Sequence, residues 1–253
     1  MKIFAISDMH SYLTPTLKAL KDAGWDESNP EHVIVVCGDC IDRGNETAEM
    51  VEWLIDLISK DKLIYVMGNH DLLMQSMLNR GYSLSHDVHN GTRRSYYQLL
   101  NAHTDMMNGK SSDEIVSAVL QPLYDKMVNY FETKNYIFVH SWIPTFKVGY
   151  DKYEYRKDWR NATQEEWGAA TWGNPFFKAQ DGLNQTGKTI VAGHWHCSLG
   201  HVIDSDGELT EFGDDACWDI YKNEAWKFIG IDKCTAHTGK VNVLILEDDF
   251  LES

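Results

Sequence analysis

Short apolar, β-branched runs recur along the chain, and each stops abruptly at polar residues. Lys2 to Ile6 leads into Ser7-Asp8-Met9-His10, and Val33 to Cys37 into Gly38-Asp39-Cys40-Ile41-Asp42-Arg43-Gly44. Leu63 to Met67 leads into Gly68-Asn69-His70-Asp71, Tyr136 to Val139 into His140-Ser141, and Thr189 to Ala192 into Gly193-His194-Trp195-His196. These lengths and compositions predict strands, and Phe228 to Ile231 and Val241 to Leu246 predict two more near the end.

A helical period separates the early strands. Thr14-Pro15 predicts a helix start, with a capping hydroxyl and proline at the first helical position, and Gly24 a stop. Ala48, Val51, Leu54, Ile55 and Ile58 line one face of a second helix. Strand, helix, strand at this spacing is the βαβ pattern of a parallel sheet, which places the chain in the α/β class. Residues 72–131 read as mostly helical, with Ile115, Val116, Val119, Leu120, Leu123, Met127, Tyr130 and Phe131 on one apolar face. Residues 142–180 are rich in aromatics without clear periodicity, which fits either a lid beside a site or a loop-rich part packing its own core. No repeat, low-complexity tract or linker divides the chain. The expectation is one domain over 1–253, with a helical insertion about 72–131 and an aromatic-rich insertion about 142–180.

Composition narrows the partners. Thirty-eight acidic against 23 basic side chains give a net charge of −15, which argues against a stable nucleic-acid complex held by a broad basic face. No stretch approaches the roughly 18 apolar residues of a membrane span. Asp8 stands where a signal peptide would still be apolar, so the expected location is cytoplasmic. The five cysteines form an odd, scattered set. Cys37 and Cys40 have C-x-x-C spacing, but no second pair accompanies them, and the intervening Gly-Asp has another use.

The strand ends carry the chemistry. In open α/β sheets ligands bind beyond the carboxyl ends of the strands. Here five strands in succession deliver metal-competent groups to that edge: Asp8 and His10, Asp39, Asn69, His140, then His194 and His196. Mixed carboxylate and imidazole donors suit first-row divalent ions. Asp39 is the natural carboxylate to bridge two ions roughly 3.5–4 Å apart, and a water shared by such ions has its pKa lowered towards about 7. His70 is then free to protonate a leaving oxygen, with Asp42 fixing its tautomer. Arg43 offers a planar fork for two phosphate oxygens.

The series Asp8-x-His10, Gly38-Asp39-x-x-Asp42-Arg43-Gly44, Gly68-Asn69-His70-Asp71, His140 and Gly193-His194-x-His196 resembles the calcineurin-like metallophosphoesterase superfamily. The Gly-Asp-x-x-Asp-Arg-Gly element is similar to its phosphoprotein-phosphatase branch, which includes bacterial and phage serine/threonine phosphatases and symmetrical diadenosine tetraphosphatases. The resemblance implies a four-layer α/β/β/α sandwich with a dimetal site at the C-terminal ends of the strands. It implies one metal on Asp8, His10 and Asp39, and another on Asp39, Asn69, His140 and His194. It also implies His70 as general acid paired with Asp42, and substrate binding by Arg43 and Asn69.

Several residues depart from the branch. Ser7 and Ser11 stand where it usually has glycine, and Asp71 replaces a glutamate. His196 follows the wider superfamily, in which the second histidine joins the first metal. Arg156 and Arg160 are the candidates for a second phosphate-binding arginine, within Glu154-Tyr155-Arg156-Lys157-Asp158-Trp159-Arg160. His86, His89, His103, His201 and His237 read as structural or surface residues.

The expected activity is that of a dinuclear-metal phosphomonoesterase, serine/threonine protein phosphatase-like, using a metal-bridging hydroxide. Its cofactors would be two divalent ions, manganese first, with iron, zinc, cobalt or nickel as alternatives. The expected partner is a phosphorylated protein or a small phosphate ester or nucleotide. One alternative is a dinucleoside polyphosphate hydrolase, with the aromatic segment stacking a purine; another is a non-catalytic scaffold that keeps the fold.

Overall fold

Alternation along the strands sorts their side chains into three apolar layers. The computed structural model describes residues 1–107, 109–150, 152–205 and 215–250. In the first sheet β1 (Lys2–Ile6), β2 (His32–Cys37), β3 (Leu63–Val66) and β4 (Met127–Val128) run parallel in that order, and β12 (Leu244–Glu247) pairs antiparallel with β1. In the second, β6 (Tyr136–Val139), β9 (Thr189–Ala192) and β11 (Phe228–Gly230) run parallel. There β5 (Phe131–Glu132) and β10 (Tyr221–Asn223) close the two edges antiparallel.

Ile3, Ala5, Val33, Val35 and Cys37 of the first sheet meet Phe138, Val191 and Ile229 of the second in one buried layer. Their alternates, Phe4, Ile6, Ile34 and Val36, face the opposite way. There they pack under α1 (Leu13–Asp22), α2 (Thr47–Ser59), α3 (Asn69–Arg80), α5 (Thr92–Ala102) and α6 (Ser112–Tyr124). Ile137, Val139, Ile190 and Ala192 of the second sheet face a third layer. That layer is built from Trp142, Trp159, Trp167 of α7 (Gln164–Ala170), and Phe176 and Ala179 of α8 (Pro175–Gln180). The period of two thus produces helix, sheet, sheet, helix. Shorter elements are α4 (Ser85–Asn90), α9 (Ser198–Asp204), α10 (Thr235–Thr238) and a hairpin of β7 (Thr145–Gly149) with β8 (Lys152–Tyr155). Among the described residues no helix is long and apolar enough to cross a membrane.

Local details differ from expectation. Helix α1 starts at Leu13 and its N-cap Tyr12 makes no side-chain cap. Thr14 does not cap it; its amide and hydroxyl both bind Glu46, just ahead of α2, so a carboxylate from another loop satisfies the helix terminus. Helix α6 ends at Tyr124, so Met127 and Phe131 belong to β4 and β5 rather than to its apolar face. Those two short strands complete an edge of each sheet, and hydrogen-bonded edges outweigh the continuing helical period. Both sheets are mixed, not wholly parallel.

The aromatic segment mostly packs its own core. Trp142, Trp159, Trp167 and Phe176 are buried, whereas Tyr150, Trp172 and Phe177 are exposed.

Candidate metal centre and active site

The loops that leave β1, β2 and β9 are strained in one place. Among the described residues ten non-glycine residues have positive φ, and seven of them lie here: Asp8, His10, Ser11, Asp39, Asp42, Arg43 and His194. Such backbone costs on the order of 1–3 kcal/mol per residue and persists only where the surroundings impose it, typically at functional sites. Two glycines permit the close approach. A Cβ on Gly38, itself at φ +80°, would lie 2.5 Å from His140 Nδ1, and one on Gly193 would run into Ser7 and Asp8.

The side chains so delivered converge. His140 Nδ1 donates to the Cys37 carbonyl at 2.8 Å, which leaves its Nε2 as a lone pair. That lone pair faces Asn69 Oδ1 at 2.7 Å, His194 Nδ1 at 3.2 Å and Asp39 Oδ2 at 3.4 Å. His10 Nδ1 likewise donates to the Ile41 carbonyl at 3.0 Å, and its Nε2 sits 4.0 Å from Asp8 Oδ1. Backbone amides fix the carboxylates: His70 N donates to Asp39 Oδ1 and His194 N to Asp8 Oδ2, each at 2.9 Å.

Nearly every one of these atoms is an acceptor, and all but His194 belong to buried residues. Burial holds the His10 imidazole well below its ordinary pKa and lowers His194 to about 2, so both are neutral and able to ligate. Burial also pushes the Asp39 carboxyl well above its usual range, with Asp8 and Asp71 adding to the effect. A buried set of mutually facing lone pairs is costly unless a cation sits among them. Two groups have the compactness to hold one: His10, Asp39 and His70, and Asp39, His140 and His194. Asp39 is common to both, as a bridging carboxylate requires. The donor set of imidazole, carboxylate and amide oxygen fits first-row divalent ions.

Beside the cluster, His70 Nδ1 lies 2.7 Å from Asp42 Oδ2, and its Nε2 lies 3.2 Å from Arg43 Nη2. His70 and Asp42 are buried while Arg43 is exposed. Thr92 Oγ1 donates to the same Asp42 oxygen at 2.6 Å, and Ser95 Oγ accepts from the Asp42 amide at 2.9 Å. Helix α5 therefore reaches the site through two hydroxyls. Read along the sequence, both belong to an unremarkable polar helix face.

Asp71, the departure from glutamate, has a compensating partner. Tyr65 donates its hydroxyl to the Asp71 carboxylate at 3.0 Å and accepts the Cys40 amide at 3.2 Å, while Asp71 Oδ2 accepts the Gly68 amide at 2.8 Å. This network ties the loop carrying Asp39 to the turn carrying Asn69. Tyr65→Phe should strip a partner from two buried groups and lower unfolding stability by about 1–3 kcal/mol in urea, with an unaltered m value.

Other predicted residues have partners of their own. His196 belongs to neither compact group; its Nδ1 meets Ser198 Oγ at 2.5 Å and its ring lies against Trp195 and Trp218. Arg156 is paired with Asp158 and Glu166, and Arg160 makes a two-pronged contact with Glu132 at 2.8 and 2.7 Å. Cys37 belongs to the inter-sheet layer and Cys40 to the layer under the helices, so the C-x-x-C thiols point to opposite sides of the sheet. The Ser7 hydroxyl reaches Asp8 and the Cys37 carbonyl, and Ser11 bonds Thr47. Asp232 was missed: it is buried, and burial, then the nearby charge of Asp8, raises its carboxyl while Arg43 acts the other way. It follows Phe228 to Ile231, the same strand-then-acid pattern that marked the other ends.

A profile of the calcineurin-like phosphoesterases matches residues 1–238. The chain belongs to that family. The family uses a dinuclear metal site, and the His and Asp groups above are the candidate holders in this chain. An asymmetrical bis(5'-nucleosyl)-tetraphosphatase of Geobacillus is 29% identical over 136 residues, covering 51% of this chain and 54% of the relative. A symmetrical one of Thioalkalivibrio sulfidiphilus is 36% identical over 72 residues, 28% of this chain and 25% of the relative. The chain thus spans about half the length of the first and a quarter of the second. A cold-active protein-tyrosine phosphatase of a psychrophilic Shewanella shares the fold with a TM-score of 0.52 at 16% identity, over 97% of this chain and 75% of that one.

Proposed function

We propose that the chain is a dinuclear-metal phosphohydrolase that cleaves dinucleoside polyphosphates in preference to phosphoproteins. The observation that carries the phosphohydrolase reading is the buried lone-pair cluster sharing Asp39, with His70, Asp42 and Arg43 at its rim. Asp8, His10 and Asp39 would hold one ion, with His196 a further candidate for it, and Asp39, Asn69, His140 and His194 the other. Bound there, divalent ions supply Lewis-acid activation of water and of the phosphoryl oxygens.

The remaining work falls to this chain's own groups. Asp42 accepts from His70 Nδ1, fixing the ring orientation that sets Nε2 beside Arg43 and 3.9 Å from Asp39 Oδ2. From there Nε2 can pass a proton to the departing oxygen. Arg43, exposed and adjacent, can grip two phosphoryl oxygens at once. The dinucleotide preference is supported by the tetraphosphatase names of the sequence relatives. The phosphomonoesterase expectation of the sequence analysis becomes the competing outcome.

The test is product release by manganese-loaded protein from diadenosine tetraphosphate and from a phosphothreonine peptide at matched concentrations. The dinucleotide is expected to be turned over faster, and a chelator should silence both reactions. Preference for the peptide would overturn the substrate assignment. Full activity in chelator would overturn the metal reading.

A further inference from the structure

A cavity of about 350 Å³ opens between the β7–β8 hairpin, the segment after His140, and helices α7 and α8. Its volume is within the range that small-molecule sites occupy. Trp172, about half exposed, forms part of its wall and sets its ring edge-on to His194, with centroids 6.3 Å apart. Ser141, next to His140, donates to the Gly173 carbonyl on the same wall at 2.5 Å. The cavity therefore adjoins the metal cluster.

Its lining is unusual for so acidic a chain. Lys147 from β7 and Lys178 from α8 both face it. The acid on the wall, Glu166, is already engaged by Arg156 and by the Thr163 amide. Lys178 is half-buried, its ammonium over the Tyr153 ring and 3.5 Å from the Thr145 hydroxyl. Burial lowers that ammonium to about 8, with Lys147 pushing the same way and Asp181 opposing, so an incoming anion would offset a cost the fold already carries. Trp142, 2% exposed, and Ile143 complete an apolar part of the wall.

We propose that this cavity is a nucleotide subsite, in which Lys147 and Lys178 hold phosphates beyond the scissile one and Trp172 offers a stacking face to the base. The proposal rests on the phosphohydrolase reading above and adds to it a residue-level reason for a nucleotide over a phosphopeptide. Exposed aromatic faces beside cations suit any base, because stacking needs only a π-surface and the cations need only phosphate.

The test is calorimetric titration of adenosine 5′-triphosphate into the metal-free 253-residue chain, with inorganic tripolyphosphate and a phosphothreonine peptide as comparison probes. The wild type should bind the nucleotide more tightly than tripolyphosphate, and Lys178→Met should weaken it about tenfold, the loss of one charge-assisted contact. Lys147→Ala, on the exposed hairpin, should weaken it in the same direction and keeps the test decisive if Lys178→Met melts early. Equal affinity for nucleotide and tripolyphosphate would overturn the subsite. So would nucleotide binding indifferent to both lysines, or a peptide that alone responds to them. Turnover of diadenosine tetraphosphate by the manganese-loaded wild type is scored separately. Hydrolysis without lysine-dependent binding sinks the subsite and spares the function. Lysine-dependent binding without hydrolysis does the reverse.

Discussion

Asp39→Asn is expected to cut hydrolysis of diadenosine tetraphosphate by about a thousandfold and to lower the number of manganese ions retained per chain. Asparagine keeps the shape and the oxygen that accepts the His70 amide, but not the charge shared by both compact groups. Losing several kcal/mol of metal-assisted stabilisation corresponds to about three powers of ten in rate. The apo fold should gain, not lose, because burial disfavours that carboxylate when no cation is present. Metal content by mass spectrometry, read with the melting temperature in chelator, separates the two effects. Wild-type turnover with two ions still bound would refute the bridging role.

His70→Asn should behave differently. It removes the imidazole that Asp42 orients, so hydrolysis of an alkyl phosphate ester should fall about 10²- to 10⁴-fold, while the dinucleotide, whose leaving group is itself a phosphate, should lose less. The decisive feature is dependence on the leaving group. A group that departs without a proton, such as p-nitrophenolate, should feel the substitution little; an alkoxide should feel it fully. An equal loss for both would refute proton donation and leave His70 with a positioning role. Thr92 and Ser95 hold Asp42, so changes there should move rates in the same leaving-group-dependent manner, by smaller factors.

Much of this is legible in the amino-acid sequence. The strand runs were long enough in β-branched residues, and interrupted abruptly enough, to place five sets of polar groups on one edge. The period of two along Lys2–Ile6 and His32–Cys37 carries the layered architecture, since alternate residues must face alternate layers. Short edge strands such as Met127–Val128 and Phe131–Glu132 were not legible, because two residues have no period. Nor was the start of α1, whose terminus is satisfied by Glu46 from a separate loop.

Side chains that act across long separations divide in the same way. Residue types and strand ends alone identify which groups are chemically capable of ligation, and that they leave successive strands at the same end. Their partners come from the packing of the layers: His140 with Asn69 and His194, Asp42 with Thr92, Asp71 with Tyr65. It also drew Arg156 and Arg160 into pairs with Glu166 and Glu132, and set a lysine-lined cavity next to Trp172. The physical reason is range. Strand propensity and alternation are set by neighbours a few residues apart, whereas burial, ion pairing and the facing of lone pairs depend on which surfaces the folded layers bring together.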